Sequence, residues 1–175
     1  MINISYLSTN PTEKMLSNLT HAPFEMDGHR FASVEGFWQG IKRAYGDTER
    51  DQIFQLFGIP AKRAGRLEEP PEFAWYQNQA FPMGSQCHQL LLKRAVAHKL
   101  RDNPDIGLLL LATKDDVILH DPKKSNGESF PNSALIPNEV FASFVTELRS
   151  EFRQRYVPSL VPIQTYLKNI STHSL

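Results

Sequence analysis

The stretch Ser33-Val34-Glu35-Gly36-Phe37-Trp38-Gln39-Gly40-Ile41-Lys42 decides how this chain is read. Wound as an α-helix, it places Val34, Phe37, Trp38, Ile41 and Tyr45 on one face, at the i, i+3, i+4, i+7 spacing of a buried stripe. Glu35, Gln39 and Lys42 then form a narrow polar stripe roughly 100° round from it, since each helical residue turns by ~100°. Residues 35 and 42 stand two turns apart, about 10.5 Å along the axis at 1.5 Å per residue. Two side chains reaching toward each other close such a gap onto one small ligand. A carboxylate and an amine flanking one pocket make a catalytic pair. The competing reading is the solvated flank of an ordinary amphipathic helix.

Outward from this segment the order is helix-rich but mixed. Ser33 is a good N-cap for the motif helix and Gly46 a natural stop. Just upstream, Asp27-Gly28 between two apolar-containing triplets is a two-residue hairpin signal, because both positions tolerate positive φ. Further back, residues 2–7 alternate weakly and read as a short strand. Downstream, Thr48 caps a helix through Phe57, ended by Gly58 and Pro60, and residues 60–67 form another short helix. The Pro, Asn and Gln density from 68 to 84 marks a long loop, whose aromatics Trp75, Tyr76 and Phe81 argue for order and for function. Residues 85–101 read as a long helix with Leu91, Leu92, Ala95, Val96 and Leu100 inward. Pro104 interrupts it, and 106–112 is a second, more buried piece. Residues 117–120 form a short strand before a polar loop. Pro137 or Asn138 opens a last helix with Val140, Phe141, Phe144, Val145, Leu148 and Phe152 on one face. The expected fold is a single α+β domain over 1–156, mostly helical, followed by a tail from 157 to 175. A small antiparallel sheet is expected from the first strand, the Asp27-Gly28 hairpin and residues 117–120.

Composition narrows the function classes. At 175 residues, a one-domain chain buries roughly two thirds of its unfolded surface. Nineteen basic and nineteen acidic residues balance, so no global charge drives it to nucleic acid or to an anionic membrane. An enzyme that takes a flipped base needs no basic surface, however. No apolar run approaches the length of a bilayer span, and the N-terminus lacks the features of a signal peptide. Cys87 is the single cysteine, which rules out a disulfide framework and a cysteine-based zinc site. A cytosolic protein is expected, and the Asn18-Leu19-Thr20 and Asn169-Ile170-Ser171 sequons are then accidental. The six histidines show neither HxxxH nor HExxH spacing, so no metal is expected.

The blocks Leu16-Ser17-Asn18-Leu19, Ala22-Pro23-Phe24-Glu25-Met26-Asp27-Gly28-His29-Arg30-Phe31 and Ser33-Val34-Glu35 come in an order that resembles the opening signature of the NADAR (YbiA-like) family. That signature is an L-S-N segment, a P-F/I-x-x-D-G hairpin, then S/T-V-E-H-Y-Y/F-Q-A-x-K. Gly58, Ala61, Ala64, Gly65 and Arg66 are similar to a later block. So are Ala95-Val96-Ala97-His98-Lys99-Leu100-Arg101-Asp102-Asn103-Pro104 and Leu109-Leu110-Leu111-Ala112-Thr113. The resemblance runs over roughly residues 14–155 and implies a YbiA-like fold. It also implies hydrolysis at an N-glycosidic bond with no cofactor. The substrate would be a ribosylated base, a phosphorylated ribosylamino-pyrimidine of riboflavin synthesis, or guanine in nucleic acid carrying ADP-ribose.

Breaking a C1′–N bond builds positive charge on the sugar, and a carboxylate beside C1′ stabilises it or activates water. Glu35 falls on the pattern's glutamate and takes that role. Lys42 falls on the motif lysine, either clamping a phosphate or attacking an opened sugar as a Schiff-base nucleophile, which requires a depressed pKa. Trp38 and Gln39 fall at substrate-binding positions on the same helix. Asn18 either hydrogen-bonds ribose or base, or fixes its own loop. Asp27 and Gly28 read as turn residues. Arg66, with Lys62 and Arg63, offers a phosphate fork or a solvated face. Trp75 offers a stacking face, although it lies farther from the long helix than the pattern has it. In the C-terminal region Asp121 is the nearest acidic match, Phe130-Pro131 stands where Trp-Gly is usual, and Asn132 stands for the pattern's asparagine. The motif helix carries Gly36 where histidine is usual. The alternative to an enzyme is therefore a degenerate site that binds an ADP-ribose-like nucleotide or a partner. The pocket is expected where the Glu35 helix meets the 68–84 and 120–133 loops.

Overall fold

The computed structural model of the protein describes residues 1–67, 69, 71–121 and 136–171, with side chains as far as 155. In chain order these make β1 (Ile2–Asn3), α1 (Pro11–Leu16), β2 (Phe24–Met26), β3 (His29–Phe31), α2 (Val34–Gly40), α3 (Arg50–Phe54) and α4 (Gly58–Ala64). Then follow β4 (Phe73–Tyr76), β5 (Gln79–Pro82), α5 (Gln86–Asp102), α6 (Pro104–Ala112), β6 (Ile118–Leu119) and α7 (Asn138–Ser171). The α+β class expected from the sequence is the class observed.

The strands do not form one antiparallel sheet. They make three two-stranded ribbons, and β1 pairs with β6 in parallel, Ile2 opposite Ile118. Parallel pairing joins the first described strand to the last, a tertiary relation that no local pattern carries. The Asp27-Gly28 hairpin is as expected: both residues have positive φ, 53° and 79°, and they join β2 to β3 in antiparallel register. The 68–84 segment is not a loop throughout. Residues 73–82 are the hairpin β4–β5, turned by Gln77 and Asn78 at φ 49° and 57°. Its alternation puts Ala74 and Tyr76 inward, so the aromatics there are strand residues.

Helix α2 begins where Ser33 caps it: extended at the N-cap, Ser33 accepts the Gly36 N–H through Oγ at 2.8 Å and donates to the Leu56 carbonyl at 2.9 Å. It ends at Gly40 rather than running on to Gly46. The reason is tertiary, for the Ile41 carbonyl accepts the Trp75 N–H at 2.7 Å and the chain turns away. Val34, Phe37 and Ile41 are fully buried, Trp38 packs at the core margin, and Tyr45 is 46% exposed. Around Phe37 an aromatic cluster closes edge-to-face, with Phe31 at 5.0 Å and Tyr76 at 5.3 Å, while Phe31 meets Phe54 at 4.9 Å. Each such pair adds ~0.5–1.5 kcal/mol beyond the burial of its area. Helices α5, α6 and α7 join the same core through Leu91, Leu92, Val96, Leu110, Val145 and Leu148. Among the described residues no helix is long and apolar enough to cross a membrane.

Candidate active site

The polar stripe of α2 is buried, not solvated: Glu35 is 8% and Gln39 7% exposed. Burying a carboxylate without a partner is costly, and here the partner comes from one turn on. The Gln39 amide Nε2 donates to Glu35 Oε1 at 2.7 Å, and Lys42 Nζ donates to Gln39 Oε1 at 2.6 Å. The amide is held in the one orientation that offers its N–H to a carboxylate and its oxygen to an ammonium. Backbone fixes it there as well. A Cβ added at Gly65, just past α4, would collide with the Cβ and Oε1 of Gln39 and reach 2.7 Å from its Cδ. Glu35 and Lys42 are thereby joined through one amide.

Lys42 is half-buried, and its pKa is lowered from the ordinary lysine value. Burial is the largest cause; the Glu35 charge opposes the shift and Lys62 adds to it. The free amine is thus more populated near neutral pH than on a surface lysine. Burial chiefly, and Lys62 to a lesser degree, lower the His120 pKa against the Ile4 carbonyl, so this α4 lysine lies within electrostatic reach of both. His120 turns its Nδ1 to the Ile4 carbonyl at 2.9 Å and packs edge-on to Phe141. Beside it, Asp121 is tied by its backbone to the Asn3 side chain, N–H to Oδ1 at 2.9 Å.

On the other flank Trp38 stacks on His88, centroids 4.1 Å apart and planes 16° from parallel. His88 is 0% exposed. Burial first, and Lys42 second, hold its pKa down to about 4, so the ring is neutral at physiological pH. The Gly84 N–H donates to Nδ1 at 3.1 Å, which places the ring proton on Nε2. That Nε2 is buried without a hydrogen-bond partner. Asn18 gives α2 a second cap, its carbonyl accepting the Glu35 N–H at 2.9 Å. Its side-chain Oδ1 is also buried and unpartnered.

Of the residues singled out from the sequence, the structure brings together Asn18, Glu35, Trp38, Gln39 and Lys42. Trp75 is half-buried, and its backbone borders the end of α2. Arg66 is exposed beyond Gly65; of the basic trio it is Lys62 that senses Lys42. Phe130 and Asn132 lie outside the described residues. His88 and His120 were not among the sequence candidates. His120 is placed by Ile4 and Phe141, and His88 by Trp38 as well as by the nearby Gly84, so their main partners come from sequence-distant elements. Among the described residues no three His, Cys, Asp or Glu side chains converge in a way that would hold a metal ion.

The family model described as Bacteriophage protein GP30.3 matches residues 11–150. An uncharacterized 17.1 kDa protein in the Gp30-rIII intergenic region of Enterobacteria phage T4 is 47% identical over 51 residues, 29% of this chain. That match spans 33% of the phage protein. The solution NMR structure of the Escherichia coli protein YbiA superimposes with a TM-score of 0.62, over 89% of this chain and 88% of that one, at 18% identity. The likeness is one of fold, and it is the YbiA-like fold that the opening blocks of the sequence imply.

Proposed function

Because the chain belongs to the bacteriophage protein GP30.3 family and has a YbiA-like fold, we propose that it is an N-glycosidase that cleaves the bond between a ribose C1′ and a base nitrogen. The observation that carries this reading is the buried Glu35–Gln39–Lys42 relay. A carboxylate fixed in a low-dielectric site stabilises cationic charge at C1′ more strongly than one in water. It also serves as base for the attacking water. Candidate substrates are a ribosylated base, the phosphorylated ribosylamino-pyrimidine of riboflavin synthesis, and guanine carrying ADP-ribose, alone or in nucleic acid.

Lys42 has two possible tasks, clamping a phosphate or adding to the opened sugar. Its lowered pKa supports the second, because a Schiff base forms from the neutral amine. Borohydride added during turnover should then leave a reduced sugar adduct on Lys42, found by peptide mass spectrometry. Its yield should rise with pH to a midpoint below that of an ordinary lysine. Turnover with no adduct at any pH assigns Lys42 to phosphate.

The decisive experiment is product analysis by mass spectrometry over NAD, ADP-ribose, the phosphorylated ribosylamino-pyrimidine and DNA carrying ADP-ribosylated guanine. Release of a free base or of ADP-ribose names the substrate. The second reading, a nucleotide-binding module, is favoured by Gly36 standing where the YbiA-like pattern has histidine. It predicts no product but a raised unfolding temperature, since a ligand at 100 times its Kd adds about 2.7 kcal/mol. Folded protein giving neither product nor shift with any of these ligands would defeat both readings.

A further inference from the structure

Lys99, in the last turn of α5, is 1% exposed. Its ammonium donates to the carbonyls of Met15 at 2.9 Å and Ser17 at 2.8 Å, across more than eighty residues of sequence. These two carbonyls flank the end of α1, whose last turn leaves acceptors without helical partners and carries the negative end of the helix dipole. Lys99 therefore closes that helix from another element. An ammonium is costly to bury, and burial alone holds its pKa down to about 7. Either form of the amine has at least two N–H groups for the two carbonyls, so the clamp does not depend on its charge. A methionine would fill the same space without that cost. What the lysine adds is a fixed backbone at residues 15–17.

The next residue is Asn18. Its carbonyl takes the Glu35 N–H at 2.9 Å, and the Leu19 carbonyl takes the Gly58 N–H at 2.7 Å. Ser17 Oγ accepts the Leu19 N–H at 3.3 Å, and the Thr20 hydroxyl donates to the Lys14 carbonyl. The segment is thus pinned on one side by Lys99 and on the other by α2 and α4. Its exception is Asn18 Oδ1, buried with no partner, on a residue one peptide away from the Lys99 clamp whose backbone carbonyl, not its side chain, takes the Glu35 N–H.

We propose that Lys99 is a positioning residue: by clamping the Met15 and Ser17 carbonyls it sets the Asn18 peptide on the amino end of α2, the helix that carries Glu35, and so fixes the Asn18 side chain as a preformed acceptor for ligand. The ligand half of this statement rests on the glycosidase reading; the clamp half does not.

The test uses the full chain with Lys99→Met, which keeps the volume, Lys99→Gln, which keeps a donor, and Asn18→Ala. Amide hydrogen exchange by NMR reads the clamp. In Lys99→Met the Leu19 and Glu35 amides should lose at least tenfold in protection, while those of Leu92, Val96 and Leu110 stay as in wild type. Asn18→Ala should leave Glu35 protection unchanged, because the backbone carbonyl remains. Titration with ADP-ribose reads the ligand half, with Kd at least tenfold weaker in both Lys99→Met and Asn18→Ala. Unchanged Glu35 protection in both Lys99 variants overturns the proposal, as does unfolding of both, which would make Lys99 a residue of the fold. Lost protection with wild-type affinity overturns the link to Asn18. If wild type itself ignores ADP-ribose, that ligand leaves the glycosidase reading, and exchange still decides the clamp.

Discussion

Glu35→Gln should lower kcat on the substrate found by product analysis by at least ~10²-fold, the range typical of losing a positioned acid–base or charge-stabilising group. KM should move little, because the change removes charge and not shape. The argument is strong here because the substitution keeps the hydrogen-bond frame. A glutamine at 35 still offers an amide oxygen to the Gln39 Nε2, which now reaches the carboxylate at 2.7 Å. Nor should the fold suffer. Glu35 is 8% exposed, and replacing a buried carboxylate by a neutral amide relieves desolvation. The second consequence is electrostatic. The Glu35 charge holds the Lys42 pKa up against burial and Lys62. Without it that pKa falls further, so any Schiff-base trapping at Lys42 should move to lower pH while turnover collapses. Steady-state kinetics with thermal unfolding of the same samples checks both. Turnover within about threefold of wild type, in a variant of unchanged unfolding temperature, would remove Glu35 from the chemistry.

How much of this was legible in the sequence depends on whether the deciding interaction was local. The Asp27-Gly28 turn and the Ser33 cap were, because each is fixed by two or three neighbouring residues. So was the α5 helix, whose N-cap Ser85 accepts the His88 N–H. Helix α1 carried an equally local signal that went unread: Asn10 caps Thr12 and Glu13, with Pro11 at the first helical position. The β4–β5 hairpin was obscured because Gln77, a residue seldom found at positive φ, shares its turn with Asn78. The site was half legible. Periodicity put Glu35, Gln39 and Lys42 on one stripe, but whether that stripe faced water or protein depends on Gly65 of the α4 end, which no helical pattern reveals. His88 is defined by Trp38 from α2 and by the Gly84 turn, and Lys99 by carbonyls of α1. These are contacts between elements, and sequence spacing is silent on them.

Gly36 shows how such contacts account for a departure from the family pattern. It is the third residue of α2, where an alanine would ordinarily help the helix by about 1 kcal/mol. Here a Cβ would collide with the Leu56 carbonyl oxygen and stand 2.9 Å from that of Ile53 and 3.3 Å from that of Phe54. Those carbonyls end α3, and the Leu56 oxygen already accepts the Ser33 hydroxyl that caps α2. One turn on, a Cβ at Gly40 would collide with the Phe54 ring. The two glycines thus let α2 and α3 approach at backbone distance, and backbone cannot swing aside as a side-chain end can. A Cβ pressed this close to rigid backbone sits at the upper end of overpacking costs, about 3 kcal/mol, which outweighs the propensity gain. Gly36→Ala should therefore destabilise the protein by about 2 kcal/mol net. At about 2–4 °C per kcal/mol for a chain of this size, that is a fall in Tm of about 4–8 °C. Gly36→His, the residue the YbiA-like pattern has at this position, should fare worse and fail to fold. Calorimetry of both variants decides the matter. A histidine variant as stable as wild type would mean that the end of α3 yields easily, and the glycine would then need an explanation in the chemistry of the site.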